Sequence, residues 1–238
     1  MKIQSALMVV AGVLTSCALG DTIYFSPKVQ NADGTYSLTN DLNWVGGRAP
    51  SASDEQVFAP EGELNLRVDW RPSGYNYLGT MKFMSGSVSL SGSGTLYANG
   101  SPTSVVYVAS GVTVTSSCKI ENWSKNKPFA KTGGGTFSFS KLGDSQPMVI
   151  DVQEGTLKGT AANAVCATKL RIRGGATFWA GSYNFFSTQD PDVQVDKGGK
   201  FLYSAVGEEK DGHKVGSVVV YGTDNLLLAL FSGIVQAG

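Results

Sequence analysis

The chain has 238 residues, of which 30 are glycine, 26 serine and 17 threonine, so close to a third of it consists of residues that weaken helices or favour turns and strands. That composition excludes long helices and coiled coils, while 42% hydrophobic and 16% charged residues supply a core without the charge excess of a disordered chain. With 19 Lys and Arg against 19 Asp and Glu, and no dense basic run, the chain lacks the electrostatic footprint of a protein that binds nucleic acid or an anionic membrane.

Residues 1–20 carry one charge, Lys2, then an apolar stretch from Ile3 to Leu14 broken only by Gln4 and Ser5, then Ala18, Leu19 and Gly20 ahead of Asp21. This pattern predicts a secretory signal peptide cleaved between Gly20 and Asp21. Its apolar part falls short of the roughly 18 to 20 residues that cross a bilayer, so no transmembrane span is expected in the mature chain. A different cut is the alternative, because Leu14-Thr15-Ser16-Cys17 resembles the lipobox of bacterial lipoproteins and would make Cys17 a lipid-anchored N-terminus. Against that, Thr22-Ile23-Tyr24-Phe25 reads as a strand that begins almost at once and leaves little tether. Cleavage after Gly20 leaves 218 residues with 18 basic and 19 acidic side chains, a net charge of −1.

Residues 21–80 lack a repeat and are expected to form an N-terminal cap. Asn31-Ala32-Asp33-Gly34 between Thr22–Phe25 and Thr35–Leu38 is a hairpin signal. The run Asn43-Trp44 to Pro50, then Asp54 to Phe58, supplies an aromatic, a glycine turn and a further strand.

From residue 81 to 238 one phrase recurs: glycine followed by alternating apolar and small polar residues. It starts at Gly86, Gly94, Gly111, Gly135, Gly155, Gly175, Gly199 and Gly216, at intervals of 8, 17, 24, 20, 20, 24 and 17. Apart from the first, these intervals cluster near the length of one solenoid coil and exceed the 8 to 12 typical of sandwich strands. The fold expected is therefore all-β, a parallel β-helix whose coils stack on the cap. Within it Leu170 and Ile172 share one face and Lys169, Arg171 and Arg173 the other, and the pairs Val112/Val114, Phe137/Phe139 and Val193/Val195 repeat that alternation. Leu226 to Phe231 either folds back as a lid or belongs to a stack that continues beyond residue 238. Cys118 and Cys166 are 48 positions apart, about two coils or ~10 Å along the axis, which exceeds the ~7 Å that a disulfide spans. Two free, buried thiols are expected.

The segment Lys131-Thr-Gly-Gly-Gly135-Thr136-Phe137-Ser138-Phe139-Ser140, followed by Val149-Ile-Asp-Val152-Gln-Glu-Gly155-Thr156-Leu157, resembles the autotransporter-associated β-strand repeat. Ser93 to Tyr97 echoes its first half, whereas Phe137 and Phe139 replace the usual leucines and no translocator barrel follows in this sequence. The resemblance implies an exported right-handed parallel β-helix, a stalk or adhesin-like surface, extracellular or on the outer membrane of a bacterium.

Chemistry-bearing residues are scattered. His213 is the only histidine and lies in the charged turn Glu208 to Lys214, so multi-histidine zinc sites are excluded. There is no P-loop, dinucleotide fingerprint, EF-hand loop or Cys-x-x-Cys, and no catalytic residue, metal set or cofactor is assigned. Two groupings remain. The basic row Lys169, Arg171 and Arg173, with Asp190, Asp192 and Asp196 about a coil later, is the material a polysaccharide lyase or hydrolase on a β-helix would use, or simply a solvated face. Trp123, Trp179 and Tyr183, with Phe185 and Phe186, are candidate sugar-stacking aromatics, though large aromatics also serve as packing. The expected function is a secreted, non-enzymatic β-solenoid that presents an extended face to a polysaccharide or cell-surface matrix. A polysaccharide-active enzyme and a carbohydrate-binding sandwich are the alternatives.

Overall fold

Strands that alternate apolar and small polar residues can bury one face only if another layer closes over it, and unpaired backbone groups along each edge need a neighbour. Both requirements are met by stacking. A computed structural model describes residues 20–69, 76–98, 103–122, 125–143, 146–162, 164–181, 186, 191–203, 218–221 and 226–229. The first sheet runs in spatial order β1 (Thr22–Tyr24), β3 (Glu55–Phe58), β6 (Thr80–Phe83), β9 (Ser104–Val108), β11 (Pro128–Thr132), β13 (Met148–Val152), β15 (Ala167–Ile172), β17 (Asp192–Val195) and β20 (Leu226–Ala229). The second runs β2 (Tyr36–Ser37), β4 (Glu63–Arg67), β7 (Ser87–Ser91), β10 (Thr113–Glu121), β12 (Thr136–Leu142), β14 (Thr156–Gly159), β16 (Thr177–Ala180), β18 (Lys200–Tyr203) and β19 (Val218–Tyr221). Beside it, β5 (Asn76–Tyr77) pairs with β8 (Thr95–Tyr97), and β8 with the end of β10. Every pairing from β1 and β2 up to β17 and β18 is parallel, and the architecture is a β-solenoid.

Successive register partners in the second sheet, Glu63, Ser87, Thr113, Thr136, Thr156, Thr177 and Lys200, are 24, 26, 23, 20, 21 and 23 residues apart. The short interval from Gly86 to Gly94 is thereby explained. Gly94 opens β8, which extends the same coil beside β10 and does not begin a new one. Inward positions line up rung on rung: Leu64, Val88, Val114, Phe137, Leu157, Phe178 and Phe201 are all buried in one register column. Phe178 and Phe201 stack with centroids 5.7 Å apart. At one corner, Gly155 takes φ +62°, and a Cβ there would collide with the carbonyls of Gly133 and Gly135 in the coil before, so the turn glycine sets how closely two coils approach. Hydroxyls hold the strand ends: Ser91 donates to the Leu66 carbonyl (3.3 Å), Ser117 to Leu90 (3.3 Å), Ser140 to Ser117 (3.0 Å) and Thr160 to Phe139 (3.0 Å), each reaching one coil back.

The N-terminal segment departs from the expected hairpin. The turn itself forms, with the Asn31 N–H donating to the Thr35 carbonyl at 2.8 Å and Gly34 to Asn31 at 3.0 Å. Its antiparallel pairing stops at the Gln30–Tyr36 bridge. The strands on either side enter different sheets, β1 beside β3 and β2 beside β4, because in a stack each strand is satisfied by the next coil and not by its chain neighbour. Residues 21–80 therefore contribute strands to both sheets. What sets them apart is the length of the first coil, 33 residues from Ile23 to its partner Gln56, and the excess folds inward. Trp44 is buried, donates from Nε1 to the Leu38 carbonyl (2.9 Å) and meets Phe25 and Phe58 edge to face at 5.0 and 5.6 Å. Asn43 beside it is fully buried: its Oδ1 accepts from the amides of Lys28 (3.0 Å) and Val29 (2.7 Å), and its Nδ2 donates to the carbonyls of Val29 and Ser37, both 3.2 Å. At the other end the leucine run folds back, with β20 antiparallel to β17 and β19 antiparallel to β18.

Three substitutions test this arrangement. In urea titrations Asn43→Ala should lower stability by about 2 kcal/mol, because four backbone groups, one of them in a fully buried hydrogen bond, lose their partner, and Val152→Asp should unfold the stack. Arg171→Ala, on the outer face, should stay within about 0.5 kcal/mol in the same urea titration.

Candidate interaction surfaces

The two sheets show solvent different chemistry. Outward positions of the second sheet form a register column of hydroxyls, Ser87, Thr113, Thr136, Thr156 and Thr177, beside a column Ser89, Thr115, Ser138, Lys158 and Trp179. Ser89 and Thr115 are linked by a 3.2 Å hydrogen bond across coils. Where the hydroxyls end, the Lys158 ammonium lies 3.7 Å from the centroid of the Trp179 ring, a cation–π contact across one rung.

The first sheet carries charge outward. β15 sets Lys169 against Asp192 and Arg171 against Gln194 in register. Arg171 donates from Nε (3.0 Å) and Nη2 (2.8 Å) to Asp196, and Arg173 grips both oxygens of Asp151, at 2.9 Å from Nε and 2.7 Å from Nη2. Gln153 and Gln194 donate to the same two carboxylates at 2.9 and 2.7 Å. Burial works against the ionised Asp151, yet Arg173 and Gln153 hold its carboxyl below the usual carboxylate range, and Arg173 is pushed up in turn. A general acid at neutral pH needs the opposite shift. Thus, of the acids one coil later, Asp196 meets the basic row as a cross-rung ion pair with Arg171, while Arg173 pairs instead with Asp151 in the coil before. Their partnership depends on register, which residue spacing alone does not reveal.

Of the sugar-stacking candidates, Trp179 lies outward on β16 and is half-buried, while Phe186 packs against the core and bridges to Val165. Trp123, Tyr183, Phe185, His213, Asp190 and Cys17 fall outside the described residues. Cys118 and Cys166 are buried free thiols, the first raised in pKa by burial against the pull of Ser116, whose Oγ is 3.1 Å from its Sγ. Among the described residues no group of three or more His, Cys, Asp or Glu side chains could hold a metal ion, and no helix is long and apolar enough to cross a membrane.

Among the described residues several inward positions depart from the apolar rule, Gln56, Ser104 and Ser116 among them, and one is a lysine. In the register column Met81, Val106, Lys131, Val152, Ile172 and Val195, Lys131 is fully buried. Its Nζ reaches the corner and donates to the carbonyls of Thr132 (2.9 Å), Gly133 (2.6 Å) and Glu154 (3.2 Å), one acceptor for each ammonium proton. The Glu154 carboxylate accepts from the Gly133 amide at 3.1 Å, which ties that coil to the next. The signal was present in the two-residue step from Phe129 to Lys131, which places both on one face.

Compared with protein-family models, with curated proteins and with solved structures, the chain matches none.

Burial pushes Lys131 down from 10.5 to about 8, against the Glu154 carboxylate. A folded value below the unfolded one means that the unfolded chain binds more protons in between, so this group makes stability rise as pH climbs from about 8 to 10.5. Denaturation curves of wild type and Lys131→Met across that window should differ by this slope, and parallel curves would contradict it.

Proposed function

We propose that the protein is a secreted, non-enzymatic β-solenoid that presents its second sheet as an extended adhesion face to a polysaccharide or cell-surface matrix. The observation that carries this reading is the unbroken hydroxyl column from Ser87 to Thr177, held in register over five coils, with Trp179 outward in the column beside its end. Hydroxyls repeated at the ~4.8 Å spacing of a sheet suit a partner that is itself a repeating, hydroxylated polymer, and an aromatic beside them gives a sugar ring an apolar surface. The pairing of Asp196 with Arg171 and of Asp151 with Arg173 on the first sheet favours a scaffold over a polysaccharide-cleaving enzyme. Export is carried by the leader-like residues 1–20, and the likeness of Lys131 to Leu157 to autotransporter-associated repeats supports a place at a bacterial surface.

The test is retention of the exported protein on immobilised polysaccharides, with assay of the liquid for new chain ends. Retention without cleavage, weakened about tenfold or more by Trp179→Ala and by Thr136→Lys, is the expected result. New chain ends would overturn the non-enzymatic reading, and retention that ignores both substitutions would remove the second sheet as the binding face.

A further inference from the structure

Around the start of β1 three charges lie together. Asp54 has a side chain only 3% exposed, yet it accepts from the Asp21 amide (Oδ1, 3.0 Å), from both terminal nitrogens of Arg48 (2.7 and 3.3 Å), and from the Ser51 amide and hydroxyl (2.7 and 2.8 Å). Arg48 is shared, because its Nη2 also contacts the Asp21 carboxylate at 2.8 Å. Two carboxylates and one guanidinium leave the cluster one positive charge short. The adjacent Glu55 does not supply or demand it, since Glu55 pairs with Lys82 at 2.7 Å.

The atom placed on Asp54 is the backbone nitrogen of Asp21. We infer that Asp54 is the receptor for the terminal α-ammonium created when the chain is cut between Gly20 and Asp21, so that leader removal completes a buried ion pair and locks the first coil. The inference rests on the export reading above. Its geometry is already in place: the Glu55 amide donates to the Asp21 carbonyl at 2.9 Å, and Thr22 pairs with Glu55, so β1 cannot carry the new terminus away without breaking its ladder. Cutting the Gly20–Asp21 bond with water leaves the carboxylate on Gly20 and the amine on Asp21, which takes a proton at neutral pH. The cluster then holds two negative and two positive charges. Before the cut only a neutral N–H faces Asp54, and Gly20 lies so close to the Ser53 carbonyl that a Cβ would collide with it. Burial disfavours the Asp54 charge, and Arg48, Ser51 and the Asp21 amide outweigh it, holding the carboxyl well below the usual range, so it is ionised and ready for a cation.

The experiment starts from the full-length chain expressed with its leader in an exporting bacterial host. Intact mass and N-terminal sequencing of the exported protein should give a chain that begins at Asp21. Selective acetylation of the α-amine removes the charge and keeps the N–H, with the acetyl group standing where the Gly20 carbonyl was. It should lower Tm by about 3 °C near pH 6, and the loss should disappear in Asp54→Asn. A second reading needs no variant: the α-amine, reductively methylated with a carbon-13 label, should titrate about one unit or more above its ordinary ~7.7 to 8.0. The sign follows from that rise. The contribution is complete below the unfolded value and is lost as pH climbs through the folded one. A chain that keeps its leader removes the export reading and the inference together, whereas an exported chain that starts elsewhere, or one that starts at Asp21 with an ordinary amine titration or a Tm indifferent to acetylation, overturns the inference alone.

Discussion

In-register stacking of parallel strands is the constraint from which the rest of the molecule follows. Once a coil lies flat on the one before, its backbone donors and acceptors are satisfied through that neighbour, and each side chain is placed directly over its counterpart. Inward columns are then mostly apolar, and residues of one kind can line up along an outward column. That is why Leu64 to Phe201 reads as one buried file and Ser87 to Thr177 as one hydroxyl file. Coil length is free to vary between those files, because added residues leave through the corners without disturbing register.

Much of this architecture was legible because it is local or periodic. The glycine-led phrase gave the coil length, alternation placed Ile172 inward and Arg171 outward, and the separation of Cys118 from Cys166 argued for two buried thiols, as found. The hairpin misled because Asn31 to Gly34 is a true turn, and a turn signal does not say whether its flanking strands pair with each other or with the next coil. Gly94 misled for a related reason: the same phrase opens a coil at Gly86 and merely extends one at Gly94.

The sites were less legible, since they are made by coils meeting. Arg173 and Asp151 are 22 residues apart and Asp21 and Asp54 are 33 apart, and nothing in their neighbourhoods marks them as partners until the register is known. The same holds for the serine and threonine hydroxyls that reach one coil back, which look in sequence like ordinary polar filler. Asn43 and Lys131 are polar residues at positions where the fold demands burial. Each is tolerated because its donors are matched to backbone carbonyls, and Asn43 also accepts from two amides, so these two side chains tell the chain where a loop closes and where a corner turns.

The reversal at the last coil gives the stack a mechanical character. Backbone hydrogen bonds run along the axis between coils, so a pull on the two ends loads one inter-coil boundary after another and never the whole sheet in shear. Strength under tension is then that of the weakest boundary, and a force-extension trace would be a staircase with coil-sized steps. The antiparallel pairs β17–β20 and β18–β19 change the hydrogen-bond pattern at one end of that staircase, so the first step and the later ones need not have the same height. Pulled from its two ends, such a stack lengthens by stages before it gives way.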